Sequence, residues 1–227
     1  MRTQETGMEK FVVLVAGGSG SRMQSALPKQ FMLLANKPVL MHSIQAFYEY
    51  DKNIHIVVVI PQAQLEQWET ICKQHSFHIP HQTIQGGATR FHSVQQGLSL
   101  VSAGSLVAVH DGVRPLVSRE TISAVFSEAE KNGNAVPCIP LNDSIRELNK
   151  DSNRALFREN YRLVQTPQCF QSNILKKAFL QAYQESFTDC ASVAEADGNK
   201  INLVAGNIEN IKLTTPADFI IASAYMH

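Results

Sequence analysis

Phe11 to Ala16 is apolar without interruption, and it runs directly into Gly17-Gly18-Ser19-Gly20-Ser21. An apolar run without alternation suits a strand buried on both faces, as inside a parallel sheet flanked by helices. The loop that follows has almost no side chain, so its backbone N–H groups can close around an anion. Arg22 and Lys29 come next, and no Asp or Glu lies between Glu9 and Glu49 to neutralise them locally. Strand, glycine loop and cations, in that order, meet the needs of a polyphosphate.

Two common glycine motifs fit poorly. A dinucleotide fingerprint starting at Gly18 and Gly20 would need a third glycine where Met23 stands. The second strand ends Val59-Ile60-Pro61-Gln62, without the acid that binds a ribose. A Walker A loop needs Gly-Lys-Ser/Thr, and Arg22 or Met23 occupies that place.

Further along, Val39 to Tyr50 carries Leu40, Ile44 and Phe47 at helical spacing, and Ile54 to Ile60 reads as a second buried strand. A helix over Gln62 to His75 has Leu65, Trp68, Ile71 and Cys72 on one face. A weaker strand, Ile79 to Ile84, leads into Gly86-Gly87-Ala88-Thr89-Arg90, which opens a helix reaching Val101. A strand over Leu106 to Val109 ends in His110-Asp111-Gly112-Val113-Arg114. A helix follows from Ser118 and Glu120 to Lys131, then a strand over Ala135 to Ile139. This alternation implies right-handed crossovers and an α/β fold with a Rossmann-like, doubly wound, mostly parallel sheet. In such sheets ligands bind beyond the carboxyl ends of the strands. Gly17 to Arg22, Gly86 to Arg90 and His110 to Arg114 all fall there.

The rhythm breaks between Leu141 and Gln165. Ile145 to Leu148 and Ala155 to Arg158 flank the polar Asn149 to Asn153, a hairpin pattern. An isolated two-stranded hairpin is marginal in water, so this arm needs a surface to pack on, and a partner subunit is one candidate. Helices over Ser172 to Gln184 and from Thr188-Asp189 to Asp197, a strand over Ile201 to Val204, and a helix from Pro216 complete the chain. The 227 residues are read as one domain, 1–227, with the arm, 141–165, inserted for dimerisation.

The 20 Lys plus Arg balance the 20 Asp plus Glu, which excludes a nucleic-acid binder working through a broad basic surface. Cys72, Cys138, Cys169 and Cys190 are scattered and suggest neither a zinc site nor a disulfide framework. No run of about 18 apolar residues spans a membrane. The first ten residues lack the apolar core of a signal peptide, so a cytoplasmic location is expected.

AGGSGSR (Ala16 to Arg22) with PKQ (Pro28 to Gln30), HDGVRP (His110 to Pro115), TPQ (Thr166 to Gln168), TDCAS (Thr188 to Ser192) and NIKLTTPAD (Asn210 to Asp218) occur in that order. The ordered set resembles the 2-C-methyl-D-erythritol 4-phosphate cytidylyltransferases of the non-mevalonate isoprenoid pathway, from Phe11 onward. The resemblance implies transfer of a cytidylyl group from CTP to that polyol phosphate, with Mg²⁺ and release of pyrophosphate. It implies that Arg22 and Lys29 stabilise the transition state, and that Arg158 and Lys212 orient the substrate phosphate. Val15, Ala16, Gly17, Gly18, Gly20, Gly87, Ser93, Asp111 and Gly112 would hold the nucleotide. Arg114, Ser144, Thr166 and Thr188 would hold the second substrate. Asp111 is a weak candidate for the metal, which the CTP phosphates would hold in the main. The resemblance also implies a homodimer that exchanges its arms, so that Arg158 and Ser144 enter the neighbour's site. Three positions depart from the familiar pattern: Ser144 stands for threonine, Ala88 for an acid and Cys190 for a glutamate.

The nearest competing reading is a cytidylyltransferase for another polyol phosphate such as ribitol 5-phosphate. More distant are the sugar-nucleotide and molybdopterin nucleotidyltransferases, which share only the first loop, and a non-catalytic nucleotide-binding regulator. The presence of both Arg22 and Lys29 speaks against the regulator, because mere binding does not need cations aimed at the α-phosphate.

Overall fold

The computed structural model describes residues 7–17 and 27–226. Strand β1 (Lys10–Val15) is followed by the short pair β2 (Leu33–Leu34) and β3 (Lys37–Pro38), then α1 (Val39–Tyr50) and β4 (His55–Ile60). Next come α2 (Leu65–Gln74), β5 (Gln82–Gln85), α3 (Arg90–Leu98), β6 (Leu106–Asp111), α4 (Arg119–Asn132) and β7 (Asn134–Pro140). The arm carries β8 (Ile145–Asn149) and β9 (Ser152–Leu156). The chain then forms β10 (Arg162–Val164), β11 (Gln168–Gln171), α5 (Ser172–Ala178), α6 (Cys190–Ala196), β12 (Leu203–Ala205) and α7 (Pro216–Tyr225).

The main sheet has the order β10-β7-β11-β6-β1-β4-β5, with β12 beside β7. Strands β6, β1, β4 and β5 are parallel neighbours, so their carboxyl ends share one edge. Alternate residues of each central strand face opposite layers. Val12, Leu14, Ile56, Val58 and Ala108 pack with Phe47 of α1, Trp68 of α2 and Phe126 of α4. Val13, Val57, Val59, Val107 and Val109 pack with Val94 of α3, Leu175 of α5 and Val193 of α6. This two-sided burial explains why β1 reads as a continuous apolar run. It gives the expected α/β sheet with helices on both faces.

The structure corrects several boundaries. β6 continues through His110 to Asp111, in register with Val15, so Asp111 is the last residue of a strand rather than part of the loop. β5 begins at Gln82, later than the apolar pattern implied. The helix after β4 is preceded by a tighter turn over Gln62–Gln64. The helix from Ser172 stops at Ala178 rather than Gln184. There the chain turns so that Phe179 and Phe187 both stack on Phe91, with ring centroids 4.7 and 5.7 Å apart. Burial of an aromatic ring is worth roughly 1.5–3 kcal/mol, more than a few further helical residues contribute.

Strand β11 carries no clear sequence signal. It lies antiparallel to both β6 and β7, separating two strands that would otherwise be neighbours. β10 and β11 run along β7 with a break at Gln165-Thr166-Pro167, where the Thr166–Pro167 peptide is cis. The arm forms the expected hairpin, with Asn149 opposite Ser152 and a two-residue tip. Its strands make a separate sheet, and Arg162 to Val164, read as part of the arm, belong to the main sheet.

Candidate functional site

Two cavities lie at the carboxyl edge of the parallel strands and share Arg90, Asp111 and Lys212. The first, about 280 Å³, is lined by Val15, Ala16 and Gly17 after β1, by Lys29 and Gln30, and by Gly87 to Arg90 with Ser93. The second, about 240 Å³, is lined by Arg114, Gln165, Thr166, Gln168, Thr188 and Asp189.

Local chemistry accounts for the first set. Lys29 opens a single turn, Lys29–Phe31, whose Gln30 and Phe31 are buried. Phe31 stacks on Trp68 at 5.7 Å, and Gln30 Nε2 donates to Gln64 Oε1 at 2.7 Å, so the turn carrying Lys29 is anchored from below. Among the described residues Gln30 Oε1 is a buried acceptor without a partner. Gly87 donates its N–H to Ser93 Oγ at 3.1 Å. A Cβ at Gly87 would lie 2.4 Å from His92 Cβ, so the close approach demands glycine.

The second set is held by backbone capture. Gln168, fully buried, accepts from the N–H groups of Cys190 and Ala191 and donates to Asp189 at 2.7 Å. Asp189 caps α6 through a reciprocal pair with Ser192. The start of α6 is thereby tied to β11, which sets Thr188 at the cavity. Lys212 sits between buried Asn210 and Leu213; Leu213 donates its N–H to the Val113 carbonyl, and Asn210 Nδ2 donates to the Thr166 carbonyl.

Asp111 joins the cavities. Its carboxylate takes Lys212 Nζ at 2.8 Å, Arg90 Nε at 3.3 Å and Arg114 Nε at 3.8 Å. Burial alone would raise its pKa, but Arg90, Lys212 and Arg114 outweigh it and hold the carboxyl well below the usual range. Three cations on one carboxylate leave about two positive charges over, a natural complement to a phosphate. Arg90 is the residue the sequence reading did not single out. It follows the second glycine turn directly and stands first in α3, where the helix dipole opposes a cation. Its Nη1 meets Cys190 Sγ at 3.8 Å, and its Nη2 is buried without a partner among the described residues. Burial pushes the Cys190 thiol up to about 11, so it stays neutral and Asp111 carries the pairing of Arg90.

Among the described residues, no group of three or more His, Cys, Asp and Glu side chains stands ready to hold a metal ion. The oxygens of Asp111 already face three cations. A divalent ion fits this cleft only if most of its ligands come from elsewhere, as phosphate oxygens and water provide for Mg²⁺.

The structure therefore brings together Val15, Ala16, Gly17, Lys29, Gly87, Ser93, Asp111, Arg114, Thr166, Thr188 and Lys212. Gly112 lies buried behind the wall, where a Cβ would come within 2.9 Å of Leu40 Cδ1. Gly18, Gly20 and Arg22 fall outside the described residues. Ser144 and Arg158 are exposed on the arm and line neither cavity of their own chain. Arg158 Nη1 donates to the Asn142 carbonyl.

His110 is fully buried, and burial is the main influence that pushes its pKa down to about 4. Between about 6.5 and 4 the unfolded chain takes up a proton that the folded chain refuses. Stability therefore falls as pH falls through that window, by at most about 1.4 kcal/mol per pH unit from this group. His42 and His81 are lowered by burial as well, so the informative quantity is a difference. Denaturant unfolding at pH 7 and pH 4.5 should give a smaller loss for His110→Gln than for the parent chain; equal losses would remove His110 from the account.

The family model described as IspD, 2-C-methyl-D-erythritol 4-phosphate cytidylyltransferase, matches residues 10–227. The 2-C-methyl-D-erythritol 4-phosphate cytidylyltransferase of Phocaeicola vulgatus is 47% identical over 215 residues, covering 95% of this chain and 98% of that protein. The protein of the same name from Azobacteroides pseudotrichonymphae is 48% identical over 219 residues, covering 95% and 98%. Among solved structures, that of the Thermus thermophilus 2-C-methyl-D-erythritol 4-phosphate cytidylyltransferase has a TM-score of 0.78 at 30% identity, covering 96% of this chain and 98% of that one.

Proposed function

The chain belongs to the 2-C-methyl-D-erythritol 4-phosphate cytidylyltransferase family, and from that premise we propose how its two cavities divide the reaction. The enzyme joins CTP and 2-C-methyl-D-erythritol 4-phosphate to give 4-diphosphocytidyl-2-C-methyl-D-erythritol and pyrophosphate, a step of the non-mevalonate isoprenoid pathway. In our reading CTP occupies the first cavity and the polyol phosphate the second. The observation that carries this is the Asp111 cluster at their junction, a cationic centre between two anionic reactants.

A phosphate oxygen of the polyol phosphate attacks the α-phosphorus of CTP. A new P–O bond forms there as the bond to the bridging oxygen of the β-phosphate breaks, and pyrophosphate leaves with that electron pair. The nucleophile is already ionised, so no side chain needs to remove a proton. What the protein supplies is alignment and charge. Val15, Ala16 and Gly17, with Gly18 and Gly20, hold the nucleotide, and Gly87 and Ser93 meet its base and ribose side. Gly112 backs this wall. Lys29 and Arg22 neutralise charge on the five-coordinate α-phosphorus. Lys212, oriented by Asp111, and Arg158 from a second subunit align the attacking phosphate. Arg114, Thr166, Thr188 and the partner's Ser144 surround the polyol. Asp111 would give Mg²⁺ one protein oxygen at most, and the ion, held in the main by the triphosphate, would supply shielding of the phosphate charge.

We further propose that the chain is one domain, 1–227, that acts as a homodimer through the arm, 141–165. In support, Leu148 is 79% and Phe157 65% exposed, and among the described residues the hairpin pairs with no other strand. A cytoplasmic location accords with four free thiols and with described helices none of which is long and apolar enough to cross a membrane.

The reading is tested by pyrophosphate release from CTP with 2-C-methyl-D-erythritol 4-phosphate and ribitol 5-phosphate compared side by side. We expect at least a hundredfold preference in kcat/KM for the methylerythritol compound, because a pocket built around a buried hydroxyl rejects a misfit by about that factor or more. Comparable rates would keep the nucleotide cavity and overturn the second.

A further inference from the structure

His110 is a buried polar side chain for which the transfer reaction has no direct use. Its ring is fully buried, meets the Phe47 ring edge-on at 5.2 Å and lines neither cavity. Both ring nitrogens are nevertheless engaged, and their partners decide what each does. Nε2 lies 3.0 Å from the Arg114 carbonyl oxygen. A carbonyl only accepts, so Nε2 carries the hydrogen. Nδ1 lies 3.0 Å from Thr166 Oγ1. The ring is fully buried and neither nitrogen meets a carboxylate, so it is the neutral imidazole, whose one hydrogen is the one on Nε2. Nδ1 is then a bare lone pair, and the Thr166 hydroxyl donates to it. The same Oγ1 accepts the Asp111 N–H at 3.1 Å. Thr166 has spent its only hydrogen and one lone pair on the protein, and one lone pair remains.

We propose that His110 is a positioning residue for the second cavity: by taking the Thr166 hydroxyl proton, it leaves Thr166 Oγ1 able only to accept, so that this oxygen receives a hydroxyl of the polyol phosphate and repels its phosphate end. A phosphate oxygen is itself an acceptor and finds no hydrogen at Thr166. It is left to Lys212 and to Arg158 of a second subunit. One ring thus sorts the two ends of the substrate, and through the Arg114 carbonyl it also holds the turn that carries the Arg114 guanidinium. This inference rests on the reading of the second cavity as the polyol-phosphate pocket.

The test varies 2-C-methyl-D-erythritol 4-phosphate at saturating CTP. Thr166→Val should raise KM for the polyol phosphate about tenfold, the usual effect of one hydrogen bond, with KM for CTP within about twofold; Thr166→Ser should restore it. His110→Asn, whose amide oxygen reaches the level of Nδ1, should stay within about threefold of the parent. His110→Gln, whose amide serves only the Arg114 carbonyl, should match Thr166→Val. The double variant with Thr166→Val should be no worse than Thr166→Val alone. Equal losses for Asn and Gln, or losses that multiply in the double variant, reduce His110 to a scaffold residue and overturn the proposal. If His110→Gln does not fold, the unmodified enzyme still decides. Replacing the contacted substrate hydroxyl by hydrogen or by fluorine, which cannot donate, should cost about tenfold alike; a fluorinated substrate used as well as the parent would show Thr166 donating, and the proposal fails. An unchanged KM in Thr166→Val is a different failure, that of the pocket reading itself.

Discussion

Lys29→Ala is expected to lower kcat about a hundredfold or more, while KM for CTP moves by less than about fivefold. The reason lies in where negative charge accumulates. CTP in its ground state carries most of its charge on the β- and γ-phosphates. In the five-coordinate transition state the non-bridging oxygens of the α-phosphorus gain charge, and a fixed ammonium there gains strength as they do. The turn Lys29–Phe31 is fixed in the sense this requires, because Gln30 and Phe31 are buried under it and Phe31 stacks on Trp68. Preorganisation of this kind is worth roughly 3 kcal/mol for a single donor. Steady-state turnover and CTP titration on the same preparation separate the two parameters. A loss shared equally between kcat and affinity would assign Lys29 to ground-state binding. Arg22→Ala is expected to behave in the same way.

Much of the nucleotide half of the cleft could be read from the chain because its signals are local. Phe11 to Ala16 declares a two-faced strand, and the glycines and cations suited to phosphates lie within the following residues. The second cavity is assembled from segments far apart in sequence. Thr166 meets Asp111 across 55 residues, and Arg114 reaches the Asn210 carbonyl across 96. Nothing in a window around Gln165-Thr166-Pro167 announces that the chain there enters the main sheet between β7 and β6. Strand β11 is four residues long, with two glutamines, and it is held by tertiary pairing rather than by any period of its own. Arg90 stands in the sequence reading only as the end of the Gly86 to Arg90 segment, with no role of its own, for a related reason. Its importance comes from what surrounds it, a carboxylate from β6 and a thiol from α6, and neither is near in sequence. The resemblance supplied Thr166, Thr188 and Lys212; the physical chemistry of the sequence alone would have supplied only the edge of the sheet.

Arg158→Ala and Lys212→Ala subunits, each reduced about a hundredfold or more on its own, are expected to recover to about a quarter of parental activity when mixed in equal amounts and allowed to exchange. The figure follows from the proposed exchange of arms between two subunits. Lys212 serves the cleft of its own chain, where it pairs with Asp111 at 2.8 Å. Arg158 stands on the exposed arm and reaches neither cavity of its own chain. In a mixed dimer one cleft receives both defects and the other receives neither. Random exchange makes half the dimers mixed, so about one site in four is whole. If instead Arg158 served its own cleft, every site would keep exactly one defect and mixing would restore nothing. Differently tagged subunits, with exchange verified by mass, make the distinction clean. Activity that stays at the level of the separate variants after exchange would place Arg158 outside a shared site and leave the arm's exposed Leu148 and Phe157 to be explained by something other than this dimer.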